Sequence, residues 1–257
     1  MGSATVKLDG TSSTEEANDS LTVGFISSAA VYGYLGDDSM VVGSSAKGAS
    51  LYGGEGNDSF QMALMTSGLA EGGSGADTFV LSDSLKGASL YGGSGSDLMS
   101  VAGGISAGAV YGNKGEDSFV LQASTKASVF GGGGNDSTTI NGAVTSLSYE
   151  GGLAADSLIV SGALTSSTVY GDNSAATTGG ADSISIGGNA SGSYIYGNLG
   201  DDRVTLGAGL IAGSVYGGSG DDSLVVVSGA STSALIDGGA GNDFLSLGGL
   251  SGTSSLL

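Results

Sequence analysis

Apolar and polar residues alternate along this chain in short bursts that return about every 20 residues. The bursts align on a recurring aspartate: Asp19, Asp38, Asp58, Asp77, Asp97, Asp117, Asp136, Asp156, Asp182, Asp202, Asp222 and Asp243. The intervals are 19, 20, 19, 20, 20, 19, 20, 26, 20, 20 and 21 residues, so there are twelve units and one six-residue insertion around 172–181. Two residues after the aspartate stand Leu21, Met40, Phe60, Phe79, Met99, Phe119, Thr138, Leu158, Ile184, Val204, Leu224 and Leu245. Four after stand Val23, Val42, Met62, Leu81, Val101, Leu121, Ile140, Val160, Ile186, Leu206, Val226 and Leu247. The residue directly after is Ser in eight of the twelve, and apolar–polar–apolar is the period-2 signature of a half-buried strand. Seven residues before the aspartate runs a third apolar column: Val31, Leu51, Ala70, Leu90, Val110, Val129, Tyr149, Ile195, Val215 and Ile236. The pattern predicts two short strands and two turns per unit. One turn is rich in Gly and closes on Asp; the other is plainer, as in "SSAKGAS".

A unit of this size cannot bury its own apolar residues, but stacked units can, with like residues over like. The expected fold is all-β, a flat two-sided parallel β-solenoid of about twelve coils of 19–20 residues. No composition shift interrupts the repeat, so residues 1–257 read as a single continuous domain, with 248–257 as a short tail. Helix is excluded by the density of Gly and the lack of a 3.6-residue period.

Composition narrows the chemistry. There are no Cys, His, Trp or Pro residues, 52 of 257 residues are Gly, and the formal charge is −19. The absence of His and Cys excludes Ser-His and Cys-His nucleophiles and imidazole or thiolate metal sites. The negative field disfavours nucleic acid and attracts cations. No apolar run is long enough to span a membrane, so membrane insertion is not expected. The opening "MGSATVKLDG" lacks the apolar core of a cleaved export signal. Gly-rich turns also cradle phosphates, but that needs a Lys or a helix N-terminus where this chain has acids. An enzyme is not expected, because no charged cluster breaks the repeat other than Arg203 beside Asp202.

The turns carry Gly at fixed places: five before Asp (Gly33, Gly53, Gly72, Gly92, Gly112, Gly131, Gly151, Gly197, Gly217, Gly238) and two before (Gly36, Gly56, Gly75, Gly95, Gly115, Gly134, Gly180, Gly200, Gly220, Gly241). Four before, Asn113 and Asn198 substitute for Gly, which points to a left-handed backbone. Such a turn can aim carbonyl oxygens at one point, to which the Asp adds a carboxylate. Stacking would place the carboxylates about 5 Å apart, where each pair repels by about 3 kcal/mol in an effective dielectric of about 20. Cations between coils remove that cost, and hard oxygen ligands suit Ca²⁺. Twelve turns enclose eleven sites, and eleven Ca²⁺ bring 22 positive charges against −19.

"GGEGNDSFQ", "GGSGSDLMS", "GGSGDDSLV" and "GGAGNDFLS" resemble the nonapeptide of the RTX (repeats-in-toxin) family, whose Ca²⁺-loaded parallel β-rolls are secreted by bacteria through type I machinery. The resemblance covers essentially the whole chain. It implies that turn carbonyls join the aspartates as ligands, among them those of Gly53, Gly54 and Gly56, Gly92, Gly93 and Gly95, Gly217, Gly218 and Gly220, and Gly238, Gly239 and Gly241. RTX rolls usually carry the motif on both edges. Here it appears once per coil, which implies a single ion column and is similar to the one-edge solenoids of bacterial adhesins and surface-layer proteins. Three turns are imperfect: "STEEANDS" has Thr14, Glu15 and Ala17 where Gly is expected, "GGLAADS" has Ala154, and "YGDNSAATTGGADS" carries the insertion.

Six residues before Asp, pointing outward, stand Tyr32, Tyr52, Tyr91, Tyr111, Phe130, Tyr170, Tyr196 and Tyr216, interrupted by Glu71, Glu150 and Asp237. The aromatics form either a ladder that shields a strand end or a strip for a partner subunit or a cell-surface glycan. The whole describes a Ca²⁺-binding structural protein of the bacterial exterior, secreted by the type I route. It reads first as a self-assembling surface-layer or filament subunit. The alternatives are the rod of a Ca²⁺-dependent adhesin, or the folding and secretion module of a secreted enzyme. The partner is expected to be the chain itself, laterally or head to tail; in the latter case Glu15, Glu16 and Asp19 would meet "GGAGND" and complete a twelfth ion site.

Overall fold

The computed structural model describes residues 4–8, 17–173, 177–251 and 254–257. Thr14, Glu15 and Glu16 of the first turn, and residues 174–176 of the insertion, lie outside the described residues. The chain is a parallel β-solenoid of about twelve turns, as the stacked alternation leads one to expect. Among the described residues there is no helix, and so none long and apolar enough to cross a membrane.

The chain forms two compact units, Met1–Gln122 and Ala123–Leu257, built from the same coil. In the first unit one sheet runs through Ala4–Lys7, Ala29–Leu35, Ser50–Glu55, Leu69–Ser74, Ser89–Ser94 and Ala109–Lys114. In the second it runs through Ser128–Gly133, Ser148–Leu153, Thr168–Asp172, Tyr194–Leu199, Ser214–Ser219, Leu235–Ala240 and Ser255–Leu256. The strands that follow each aspartate form the other face of the coil, as in Ser59–Thr66 beside Thr78–Leu81. Register places like over like: Phe60 on Phe79 and Leu90 on Val110. It holds across the insertion, where Leu158 pairs with Ile184. The Phe60 and Phe79 rings stack at 4.6 Å and 2°.

All three expected apolar columns point inward. Met40, Val42, Leu51, Phe60, Leu81 and Val110 are no more than 1% exposed. One coil exchanges volumes. Thr138 stands where neighbours carry Phe or Leu, and Tyr149 fills the position that elsewhere holds Val, Leu, Ile or Ala; both are buried. The swap keeps the filled volume roughly constant, the kind of core change that costs least.

The segment expected to be the plain turn departs from that expectation. It carries a short strand in each coil and buries a fourth inward column, Ile26, Ala46, Met65, Leu85 and Ile105 in the first unit and Ser124, Val144, Leu164, Ala190, Leu210 and Ser231 in the second, besides small residues such as Ala49, Ala88 and Ala127. The strand phase slips just before the fourth inward residue. Ladder register shifts between Val23 and Phe25, and again between Val42 and Ser45, as it does at a β-bulge. This slip is where the 19-, 20- and 21-residue coils differ. From the fourth inward residue to the next aspartate the count is constant: Ile26 to Asp38, Ala46 to Asp58, Met65 to Asp77 and Ser231 to Asp243 are each 12 residues. Only Leu164 to Asp182 is longer, by the six inserted residues.

Candidate metal centre

The aspartates that close the turns point into the coil. From Asp38 to Asp222 they are 1–4% exposed, whereas Asp19 and Asp243 are half-buried. Each carboxylate reaches back one coil through Oδ1, which accepts the backbone N–H of the preceding aspartate. The distances are 2.8 Å for Asp38 to Asp58, 2.6 Å for Asp58 to Asp77, 2.7 Å for Asp77 to Asp97 and 2.8 Å for Asp97 to Asp117. The second unit repeats this bond from Asp136 to Asp156 and, at 2.7 Å across the insertion, from Asp156 to Asp182. It continues through Asp202, Asp222 and Asp243.

The other oxygen is different. Oδ2 of Asp58, Asp77, Asp97, Asp156, Asp182, Asp202 and Asp222 is buried without a hydrogen-bond partner. A buried carboxylate oxygen left this way is costly, and its repetition makes it a property of the design. Burial is the main cause that pushes these carboxyls up. Asp58 and Asp117 rise to about 6, Asp77 and Asp182 to about 7, and Asp156 and Asp202 to about 8. The bond from the preceding N–H opposes the rise, and neighbouring carboxylates add to it.

The glycines of the turn have steric reasons of their own. Gly53, Gly92, Gly217 and Gly238 sit where a Cβ would overlap the carboxylate of Asp58, Asp97, Asp222 and Asp243. Gly171 does the same for Asp182, so the insertion is bridged without losing the contact. The next two glycines have a left-handed backbone, with φ of 123° at Gly54 and 121° at Gly56. A Cβ there would overlap the Tyr34 and Gly36 carbonyls of the preceding coil. Gly93 and Gly95, Gly218 and Gly220, and Gly239 and Gly241 repeat this arrangement. The expected substitutes fall in the same region, with φ of 77° at Asn113, 83° at Asn198 and 74° at Ala154. Carbonyls and the aspartate column thus share one edge of each coil, as the turn chemistry requires.

These groups fit a hard cation in part of their chemistry: orphaned carboxylate oxygens beside a glycine turn dense in carbonyls. Among the described residues no group of three or more acids converges on one point. Any ion here therefore draws most of its ligands from the backbone.

Two features of this edge were not anticipated. The residue just before the aspartate forms a second ladder, running the other way. Asn18 Oδ1 accepts the Asp37 N–H at 2.8 Å, Asp37 the Asn57 N–H at 2.7 Å, Asn57 the Ala76 N–H at 2.7 Å, and Asp201 the Asp221 N–H at 2.7 Å. The signal was the frequency of Asn and Asp in that column. The second feature is Asp172, fully buried at the start of the insertion. Its carboxylate accepts the Gly180 and Leu199 N–H groups, each at 3.0 Å, and its carbonyl accepts the Asn198 side chain at 3.0 Å. It ties down both ends of the inserted loop.

Outward, the aromatics stack as a ladder: Tyr32 on Tyr52 at 4.9 Å, Tyr91 on Tyr111 at 4.7 Å, Tyr170 on Tyr196 at 4.9 Å and Tyr196 on Tyr216 at 5.0 Å. Comparison with protein-family models, curated proteins and solved structures found no match to this chain, so the reading of the site rests on its own geometry.

Proposed function

We propose that the chain is a Ca²⁺-binding structural protein of the bacterial exterior, exported by the type I route and assembling with copies of itself into a surface layer or filament. The observation that carries the ion is the repeated, buried and unpartnered Asp Oδ2. Each such atom lacks a positive partner, and the chain has only six Lys and Arg to supply one. Ca²⁺ held by these carboxylates and turn carbonyls would supply charge neutralisation along the column. The chain's own part is to hold the carboxylates in register through the Oδ1 bonds and to keep the turn open to carbonyl ligands through the glycines. About eleven ions would bring the net charge close to neutral. Repetition of one binding element along the chain favours a scaffold over catalysis.

Negative-stain electron microscopy with and without millimolar Ca²⁺ tests the assembly. Ordered polymers that form on Ca²⁺ addition and disperse in chelator are the expected result. Isolated rods in Ca²⁺ would instead favour an adhesin rod or a folding and secretion module, and would sink the self-assembly.

A further inference from the structure

The aromatic ladder has gaps, and the gaps are chemically uniform. Register places Glu71 between Tyr52 and Tyr91, and Glu150 between Phe130 and Tyr170. Asp237 follows Tyr216 in the same column. Within a run each ring is covered by its neighbour one coil away. At a gap the flanking rings are two coils, or about 10 Å, apart. A planar group placed between them would lie one coil spacing from each, the 4.7–5.0 Å at which the rings already stack. Glu71 is exposed, and among the described residues neither Glu71 nor Glu150 has an ion-pair partner. The Glu71 gap opens into a groove of about 540 Å³ lined by Leu69, Tyr91, Asn113 and Lys114.

We propose that the Glu71 and Glu150 gaps are each a binding slot for a guanidinium group, presented by an arginine-bearing segment of a partner protein: the cation stacks between the two ring faces and pairs with the carboxylate at the base. Three observations select a cation. Aromatic faces attract cations, and a fixed carboxylate beside them adds to that attraction. The molecule carries −19 and has few cations of its own. The chain also makes a related contact itself: Lys7 pairs in register with Tyr32, placing it in this column, and its Nζ lies 5.7 Å from the Tyr34 ring centre. Guanidinium suits the slot better than ammonium because it is planar and weakly hydrated on its faces. A ring already stacked on both sides, such as Tyr196, offers no such slot.

The test is a titration of the full chain in Ca²⁺ with L-arginine amide, read by NMR on the aromatic resonances. The expected result is a saturable shift at Tyr52, Tyr91, Phe130 and Tyr170, with Tyr196 unmoved. Replacing both acids (Glu71→Gln with Glu150→Gln) should weaken binding by about two- to fivefold, the loss of a partly exposed ion pair at each slot. The charge-matched control, Asp37→Asn with Asp201→Asn, keeps the side-chain ladder and should leave binding unchanged. Glu71→Tyr, which completes the ladder, should abolish the shifts at Tyr52 and Tyr91. Equal shifts at every ring, or equal weakening by both pairs of substitutions, would reduce the effect to general charge attraction and overturn the proposal. So would shifts of these rings by a neutral oligosaccharide and not by the guanidinium probe.

Discussion

The two edges of the coil turn the chain by the same device, a left-handed residue, and obey different rules. At the plain edge one residue per coil has φ between 48° and 58°, and it is Ser28, Ser67, Ala107, Lys126, Ser146, Ser166 or Ala212 as readily as Gly48 or Gly87. That is the centre of the left-handed well, which L-residues enter at modest cost. At the aspartate edge the glycines reach 95–145°, beyond that well. The plain edge also absorbs every variation of 19, 20 or 21 residues, whereas the twelve-residue run into the aspartate changes only by the bridged insertion. One edge is held by packing and tolerates substitution. The other is held by contacts between consecutive turns, where backbone, carboxylate and proposed ion occupy the same few ångströms.

The sharpest way to break this comparison is a matched pair of substitutions. At Gly72 a Cβ would overlap the Asp77 carboxylate, so Gly72→Ala should cost about 3 kcal/mol, the scale of an overpacked core. At Gly87, with φ of 54°, the nearest atom to a new Cβ is Ser67 Oγ at 3.9 Å, so Gly87→Ala should cost about 1 kcal/mol. Urea melts in Ca²⁺ measure both, and equal costs would show that the two edges do not differ.

Asp97→Asn sharpens it by inverting its own sign. The amide keeps an oxygen for the Asp77 N–H and removes the negative charge. In Ca²⁺ the variant should be less stable than the parent, by about 1–3 kcal/mol, because an ion ligand is lost. In Ca²⁺-free buffer it should be the more stable of the two, since a buried unpaired charge is gone. Thermal melts under the two conditions decide it; the same sign in both would remove the ion from the account.

The dependence on pH should run opposite to that of an ordinary surface carboxylate. Asp156 and Asp202, pushed up to about 8, bind protons more tightly folded than unfolded, where such groups titrate near 3.8. Protonation therefore favours the native state. In Ca²⁺-free buffer the gain is complete below about pH 4 and is lost as the pH rises towards 8. Millimolar Ca²⁺ competes with the proton and should oppose that slope. Urea midpoints at pH 5 and pH 8, with and without Ca²⁺, give the comparison. A Ca²⁺-free midpoint that rises with pH would contradict the burial of these groups.

Much of this was legible because it repeats. Twelve copies of Asp with apolar residues two and four later specify inward strands that no single copy would. The glycine columns announced a left-handed turn, and Asn113 and Asn198 confirmed which position needed it. The fourth inward column escaped because it follows a bulge. Val42 and Ala46 fit an even spacing but Met62 and Met65 do not, so strict alternation ends just where the last buried residue stands. The ladder through Asn18, Asp37 and Asn57 escaped for another reason: its bonds join residues about twenty apart, and nothing local distinguishes such an acceptor from a solvated turn residue. Asp172 was read as part of a loop, since its partners Gly180 and Leu199 lie on the far side of the insertion and in the next coil.

The central claim is that the orphaned oxygens of the aspartate column hold Ca²⁺, and counting the ions tests it most directly. Calorimetric titration of the parent and of Asp97→Ala, followed in parallel by circular dichroism, should show about eleven ions for the parent and two fewer for the variant, with β-structure gained as ions bind. A chain that is already β-rich in chelator and takes up no Ca²⁺ at millimolar concentration would contradict it.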